Sequence, residues 1–140
     1  MSLFSHDTKA EALGRVPLFS GLSRKELTQL AKVTEDLEVA AGKVLCREGE
    51  TAREFFVIVE GDVEVTRGGE VVATLGPGDF FGEIGLFEHI PRTATVTAKT
   101  PLRFFVLHSQ AFWGLLEHEP AVQNNILRAL AKRVLADSTI

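Results

Sequence analysis

The feature that most constrains this fold is a series of short apolar segments, each closed by turn residues, over residues 42–108. Residues 55–59 form one continuous apolar run, and the sequence EGD at 60–62 ends it. The sequence RGGE at 67–70 separates two valine-rich segments, and its paired glycines suit a tight primed hairpin turn. Many short strands without intervening helices favour a closed barrel or jelly roll over a parallel α/β sheet.

Helical patterns flank these strands on both sides. Ser23 and Glu26 form an S-x-x-E capping box, which predicts a short helix over about residues 24–33. Ser109 is placed to cap a helix through Leu116, and Pro120 suits the first turn of another helix, whose apolar stripe continues along residues 122–134.

The predicted fold class is therefore mainly β with flanking helices. We expect a jelly-roll β-barrel with a short N-terminal helix and C-terminal helices, forming one domain over residues 1–140. Within it, the N-terminal helical segment and the barrel are expected over about residues 15–108, and the C-terminal helices over about residues 109–136.

Composition excludes several classes of function. The net charge of −4 argues against a protein that wraps nucleic acid through a broad basic face. The chain has no apolar run of about eighteen residues, so no membrane insertion is expected. Cys46 is the single cysteine, which rules out a disulfide framework within the chain and favours a reducing, cytoplasmic location.

Catalytic and metal-binding signals are weak. The four histidines are scattered without the spacing of metal ligands, so neither a metal site nor a metal-dependent enzyme on a jelly-roll scaffold is expected. The chain lacks the G-x-x-x-x-G-K-[ST] phosphate-binding loop, and the glycine spacing over residues 76–82 does not match a dinucleotide fingerprint. We expect no enzymatic activity and no cofactor.

The most informative segment is FGEIGLF at 81–87 followed by PRTATV at 91–96. Arg92 lies two and four residues before Ala94 and Val96, so in a continuous strand its side chain would point to the same side as theirs. That side is predicted to face the barrel interior. A buried guanidinium needs an anionic partner, and its planar fork matches phosphate or carboxylate oxygens. Gly82 and Gly85 would let backbone amides approach that anion closely.

The carboxylate of Glu83 does not favour a phosphate, but it is a good acceptor for sugar hydroxyl groups. One fixed cation, free backbone donors and one hydroxyl acceptor suit a ribose that carries a phosphate. The alternative at this stage is that Glu83 and Arg92 form an ordinary salt bridge across a turn.

This segment resembles the phosphate-binding cassette of the cyclic-nucleotide-binding family, found in bacterial catabolite-activator proteins, kinase A regulatory subunits and cyclic-nucleotide-gated channels. The family pattern is approximately F-G-E-[LI]-[AGS]-L, a short spacer and P-R-x-A-x-V, and this sequence matches it at each position. The similarity extends over about residues 15–135, including VPLF at 16–19 and LGPGDFFGE at 75–83.

The resemblance assigns a role to each cassette residue. It implies that Arg92 holds the cyclic phosphate, that Glu83 holds the ribose 2′-hydroxyl, and that backbone amides around Gly85 and Thr93 complete the phosphate cradle. A threonine at position 93 is similar to cyclic-GMP-preferring and dual-specificity members, although cyclic AMP binders tolerate it, so cyclic AMP is expected first and cyclic GMP second. The predicted ligand-binding residues are Gly82, Glu83, Ile84, Gly85, Arg92, Thr93 and Ala94.

The implied function is a cyclic-nucleotide-sensing regulatory module. Its C-terminal helix would relay ligand binding to an attached effector or to a second subunit in a homodimer, and Leu127, Leu130 or Val134 would contact the base. No nucleic acid partner is expected through this chain. The alternative is an interaction or scaffold domain that has the same fold and binds no nucleotide.

Overall fold

The computed structural model describes residues 4, 7–83, 86 and 89–137. For residues 134–137 it describes the backbone only. The helices are α1 (Lys9–Arg15), α2 (Arg24–Lys32), α3 (Ser109–His118) and α4 (Pro120–Asp137), with a 3₁₀ helix at Pro17–Phe19. The strands are β1 (Glu35–Val39), β2 (Val44–Cys46), β3 (Glu54–Glu60), β4 (Val63–Arg67), β5 (Glu70–Leu75), β6 (Phe80–Phe81), β7 (Thr95–Ala98) and β8 (Leu102–His108).

The eight strands form two antiparallel sheets of four strands each, in the orders β1-β8-β3-β6 and β2-β7-β4-β5. Buried side chains from both sheets share one apolar cluster, so the sheets pack face to face. The predicted jelly-roll arrangement with flanking helices is confirmed.

Strand β3 shows why the apolar run at residues 55–59 does not alternate between apolar and polar residues. Phe56 and Ile58 point into the cluster between the sheets, whereas Phe55 and Val57 belong to a second cluster formed with the helices. Because both faces of β3 are covered, every position from 55 to 59 is buried. The helices therefore close over the outer face of the sheet that contains β3 and β8.

Several local predictions are confirmed. Helix α2 begins at Arg24 after a complete capping box between Ser23 and Glu26. Helix α4 begins at Pro120, as expected. Gly68 and Gly69 have φ angles of 60° and 83°, the left-handed values that a primed hairpin turn requires between β4 and β5.

Other predictions need correction. Ser109 is not the N-cap of α3 but its first residue, because the extended residue before the helix is His108, which makes no side-chain capping bond. The helical segment starts at Lys9 rather than near residue 15, and its cap at Thr8 went unnoticed. Strand β1 was also missed, since its sequence EDLEV is mostly charged and it is an edge strand that pairs with β8 alone among the described strands.

Arg103 is an unexpected charge in the apolar strand β8, with 4% of its surface exposed. Its guanidinium donates to Asp7 at 2.7 Å, to Asp36 at 2.9 Å and to Glu60 at 3.4 Å. The hydrogen bond from Arg103 is the main cause that lowers the pKa of Asp7. This ionic cluster joins the segment before α1 to β1, β3 and β8.

Candidate ligand-binding site

A cavity of about 570 Å³ lies beside the β2-β7-β4-β5 sheet, where the cassette residues and helix α4 meet it. Such a volume lies within the range of small-molecule sites. Its lining residues are Cys46, Val65, Arg67, Val72, Ala73, Leu75, Phe81, Gly82, Glu83, Arg92, Thr93, Ala94, Val96 and Arg133.

Arg92 is the buried cation of this cavity, with 9% of its surface exposed. Its Nη1 donates to the carbonyl of Gly82 at 3.0 Å, and its Nη2 donates to the carbonyl of Glu54 at 2.7 Å. Its Cζ lies 5.6 Å from the centroid of the Phe56 ring. Both hydrogen bonds go to neutral carbonyls, and within the described part of the chain no carboxylate lies at ion-pair distance from Arg92.

The backbone of Arg92 is held independently of its side chain. The Arg92 amide donates to the carbonyl of Glu50 at 2.8 Å, and the Gly49 amide donates to the carbonyl of Arg92 at 2.9 Å. Residue 92 thus pairs with the loop between β2 and β3. It lies outside β7, because that strand begins only at Thr95. The predicted inward orientation of Arg92 is nevertheless confirmed by its burial.

Gly82 allows the Arg92 guanidinium to lie where it does. Its φ angle is +94°, a conformation that residues with a Cβ rarely adopt. A Cβ at this position would lie 2.7 Å from Nη1 of Arg92 and 2.9 Å from the carbonyl oxygen of Glu54. Any larger residue would therefore displace the guanidinium or the strand that holds it.

Glu83 is the buried anion of the cavity, with 2% of its surface exposed. Its Oε1 accepts a hydrogen bond from Nη1 of Arg133 at 2.8 Å, whereas its Oε2 is buried and has no hydrogen-bond partner among the described residues. Burial raises the pKa of Glu83, while the positive charges of Arg133 and Arg92 act to lower it. The alternative salt bridge between Glu83 and Arg92 is not formed, since the ion pair of Glu83 is with Arg133.

The wall opposite these charges is largely apolar. Strands β4 and β5 contribute aliphatic side chains to it, and Cys46 of β2 adds a thiol. Burial raises the pKa of Cys46 to about 11, so this side chain stays a neutral thiol at physiological pH. Arg67 closes one edge, where its Nε donates to the carbonyl of Thr93 at 3.0 Å. A cavity that combines an apolar wall with charged side chains suits a ligand with a flat apolar part and an ionised end.

The structure brings together five of the predicted site residues, since Gly82, Glu83, Arg92, Thr93 and Ala94 all line this cavity. The other two, Ile84 and Gly85, lie outside the described residues, as does the side chain of Val134.

Two of the three residues predicted to contact the base from the C-terminal helix do not line the cavity: Leu127 is 65% exposed, and Leu130 packs against the apolar cluster beneath the helices. The third, Val134, stays a prediction. Among the described side chains of α4, Arg133 lines the cavity, and the sequence analysis missed it. A signal was present, because Arg133 follows buried Ile126 at i+7 and so lies on the buried face of the helix.

Two further properties of the described residues bear on the function. Among the described residues, no group of three or more histidine, cysteine or carboxylate side chains is placed to hold a metal ion. Within the same residues, no helix combines the length and hydropathy that a bilayer span requires.

A family model and several known proteins are similar to this chain. Residues 36–119 match the family model described as the cyclic nucleotide-binding domain. A cAMP-dependent protein kinase regulatory subunit from Yarrowia lipolytica is 42% identical over 106 residues, covering 74% of this chain and 28% of that protein. A cyclic nucleotide-gated potassium channel from Mesorhizobium japonicum is 38% identical over 112 residues, covering 80% of this chain and 31% of the channel.

Among solved structures, a cAMP-binding acyltransferase from Mycobacterium smegmatis superimposes with a TM-score of 0.80 at 32% identity, covering 91% of this chain and 41% of that one. The chain thus spans less than half the length of each of these relatives.

Proposed function

The chain belongs to the cyclic nucleotide-binding domain family, and we propose that it binds a cyclic nucleoside monophosphate in the cavity beside Arg92. One observation carries this proposal: Arg92 is a buried guanidinium whose described partners are neutral carbonyls. A buried cation of this kind is strongly stabilised by an anion, and a cyclic phosphate presents two exocyclic oxygens to the guanidinium fork.

The second charged group fits the sugar. Within the described part of the chain, one buried oxygen of Glu83 has no hydrogen-bond partner, and a hydroxyl group is the neutral donor that satisfies such an acceptor. We therefore assign the phosphate to Arg92 and the ribose 2′-hydroxyl to Glu83. Backbone amides near Thr93 and Gly85 are expected to complete the phosphate cradle, with Ile84 and Ala94 shaping the remaining wall.

Cyclic AMP is the first candidate ligand and cyclic GMP the second. Several relatives are named for cAMP, including the kinase regulatory subunit and the acyltransferase described above. The aliphatic wall of β4 and β5 accepts either base by its apolar face, whereas the Thr93 hydroxyl offers a hydrogen bond to a guanine amino group. Relative affinity for the two nucleotides is the direct measure of this preference.

We propose a regulatory rather than a catalytic role. The cavity holds a cation, a carboxylate and an apolar wall, an arrangement that recognises a ligand. Helix α4 contributes Arg133 to the lining of the cavity, so ligand binding and the docking of α4 are linked, and an effector or second subunit attached to α4 would sense occupancy. The expected location is the cytoplasm, where such nucleotides are free ligands.

Calorimetric titration of cyclic AMP and cyclic GMP into the protein and its Arg92→Ala variant tests the proposal. We expect binding to the parent and a loss of about a hundredfold or more in the variant, as for a charge-assisted bidentate contact. Arg24→Ala is the matched control, because this exposed arginine lies on α2 outside the cavity. Failure of the folded parent to bind either nucleotide would refute the proposal and favour the scaffold alternative.

A further inference from the structure

Arg67 is the last residue of β4, and its side chain lines the ligand cavity. Glu70 is its cross-strand partner in β5, and oppositely charged residues in this position commonly attract one another. Among the described residues, however, Arg67 has no carboxylate within ion-pair distance. Its Nε donates instead to the carbonyl of Thr93 at 3.0 Å. The guanidinium is therefore held at the edge of the cavity by a neutral group.

The two terminal nitrogens of Arg67 are available to a ligand. Within the described part of the chain, the bond from Nε is the hydrogen bond that holds this side chain. The nearby carboxylate of Glu48 is engaged elsewhere, since its Oε1 accepts from the amide of Gly68 at 3.0 Å. Because Arg67 is exposed, a ligand that reaches its terminal nitrogens replaces solvent rather than a protein partner.

Arg67 lies beside the wall that we assign to the base. Side chains alternate along a strand, so Val65 and Arg67 point to the same side of β4, and both line the cavity. Strand β5 contributes Val72 and Ala73 to the same wall. These aliphatic side chains contact a purine through its flat face, whereas Arg67 offers hydrogen-bond donors to its edge. Since the phosphate is assigned to Arg92 in the cassette, Arg67 is placed for the base.

We propose that Arg67 is a specificity-determining residue, which donates to the O6 and N7 acceptors of a 6-oxopurine base and so shifts the preference of the site toward cyclic GMP. Guanine presents these two acceptors side by side, a spacing that matches the guanidinium fork. Adenine carries an amino donor in place of O6, which opposes one donor of the fork. This inference rests on the proposed function and concerns how the same site selects its base.

Three cyclic nucleotides isolate this contact in calorimetric titrations. Cyclic IMP has the O6 and N7 acceptors of guanine but lacks its 2-amino group. The affinity of cyclic IMP relative to cyclic AMP therefore reports the group at position 6, and that of cyclic GMP relative to cyclic IMP reports the 2-amino group. In Arg67→Ala we expect the first ratio to fall about tenfold and the second to stay unchanged. Cyclic AMP should lose about threefold at most, because an exposed cation attracts the phosphate only weakly.

Three further variants separate base recognition from general attraction. Arg67→Lys keeps the positive charge but not the planar fork, so it should lose most of the preference for cyclic IMP over cyclic AMP. Thr93→Ala keeps the backbone carbonyl that holds Arg67, so it should lower the affinity of cyclic GMP relative to cyclic IMP alone. Arg24→Ala is the matched control, because this exposed arginine lies outside the cavity and should change neither ratio. Circular dichroism verifies that each variant is folded.

Failure of this inference is distinguishable from failure of the proposed function. If the folded parent binds none of the three nucleotides, the proposed function fails and this inference fails with it. If the parent binds cyclic AMP, but Arg67→Ala weakens all three ligands equally or leaves all three unchanged, Arg67 does not read the base and this inference alone is overturned. A parent that binds cyclic AMP but neither 6-oxopurine nucleotide overturns it as well.

Discussion

Replacing Gly82 by alanine should damage both the stability of the protein and its ligand binding. The new Cβ would lie 2.7 Å from Nη1 of Arg92, and the residue would have to keep a φ angle near +94°. Backbone strain of this kind costs about 1–3 kcal/mol. The contact with Arg92 adds to that cost, because relieving it means giving up the hydrogen bonds to the carbonyls of Gly82 and Glu54.

Two other glycines separate these contributions. Gly42 has a similar φ angle of +92° but open space around its missing Cβ, so Gly42→Ala measures the strain alone. Gly114 lies inside α3 with nothing near its missing Cβ, and Gly114→Ala should stabilise the protein by up to about 1 kcal/mol. We expect stability to fall in the order Gly114→Ala, Gly42→Ala, Gly82→Ala.

Chemical denaturation gives the free energies of unfolding, and titration with cyclic AMP gives the affinities. Gly42→Ala should bind as the parent does, whereas Gly82→Ala should bind about tenfold or more weakly because its Arg92 is displaced. The reasoning is refuted if Gly82→Ala matches Gly42→Ala in stability and keeps the parent's affinity, since Arg92 would then not depend on the space at residue 82.

Two further predictions concern buried charges. Arg103→Ala should lower the free energy of unfolding by about 3–5 kcal/mol, because it leaves three carboxylates without their shared cation; Arg47→Ala, which breaks an exposed ion pair, should cost less than about 1 kcal/mol in the same denaturant titration. Glu83→Gln should leave the ligand-free protein as stable as the parent or more so near neutral pH, yet weaken cyclic AMP binding about tenfold. The sign follows from the pKa of Glu83. Because burial raises this pKa above its value in the unfolded chain, ionising the carboxyl group lowers the free energy of unfolding as the pH rises through the folded-state pKa. A large loss of thermal stability in Glu83→Gln would contradict this account.

Local patterns in the sequence were sufficient for much of the fold. The capping box at Ser23, the proline at 120 and the glycine pair at 68–69 each specify backbone geometry over a few residues, and the structure has all three features. The apolar run at residues 55–59 and the turn residues that follow it correctly indicated a strand there, which is β3. Arg92 was predicted to be buried, and it is buried although it lies before β7 rather than within it.

Such local patterns did not predict which distant segments of the chain pair with one another. The sequence EDLEV of β1 has little strand character of its own, and its conformation comes from hydrogen bonding to β8. Arg103 lies in an apolar strand, and its three carboxylate partners Asp7, Asp36 and Glu60 come from segments that are distant in sequence. Which carboxylates meet a buried cation depends on how the chain folds back on itself.

The same division applies to the candidate site. The residue types and spacing of the cassette determined that a guanidinium, a carboxylate and permissive glycines would lie close together, and five of the predicted residues do line one cavity. Only the tertiary structure decided that Glu83 pairs with Arg133 rather than with Arg92, and that Oε2 of Glu83 has no partner among the residues that the structure describes. The physical reason is range: turn and strand geometry is set by neighbours in the chain, whereas the partner of a buried charge is set by the packing of a helix that lies fifty residues away in sequence.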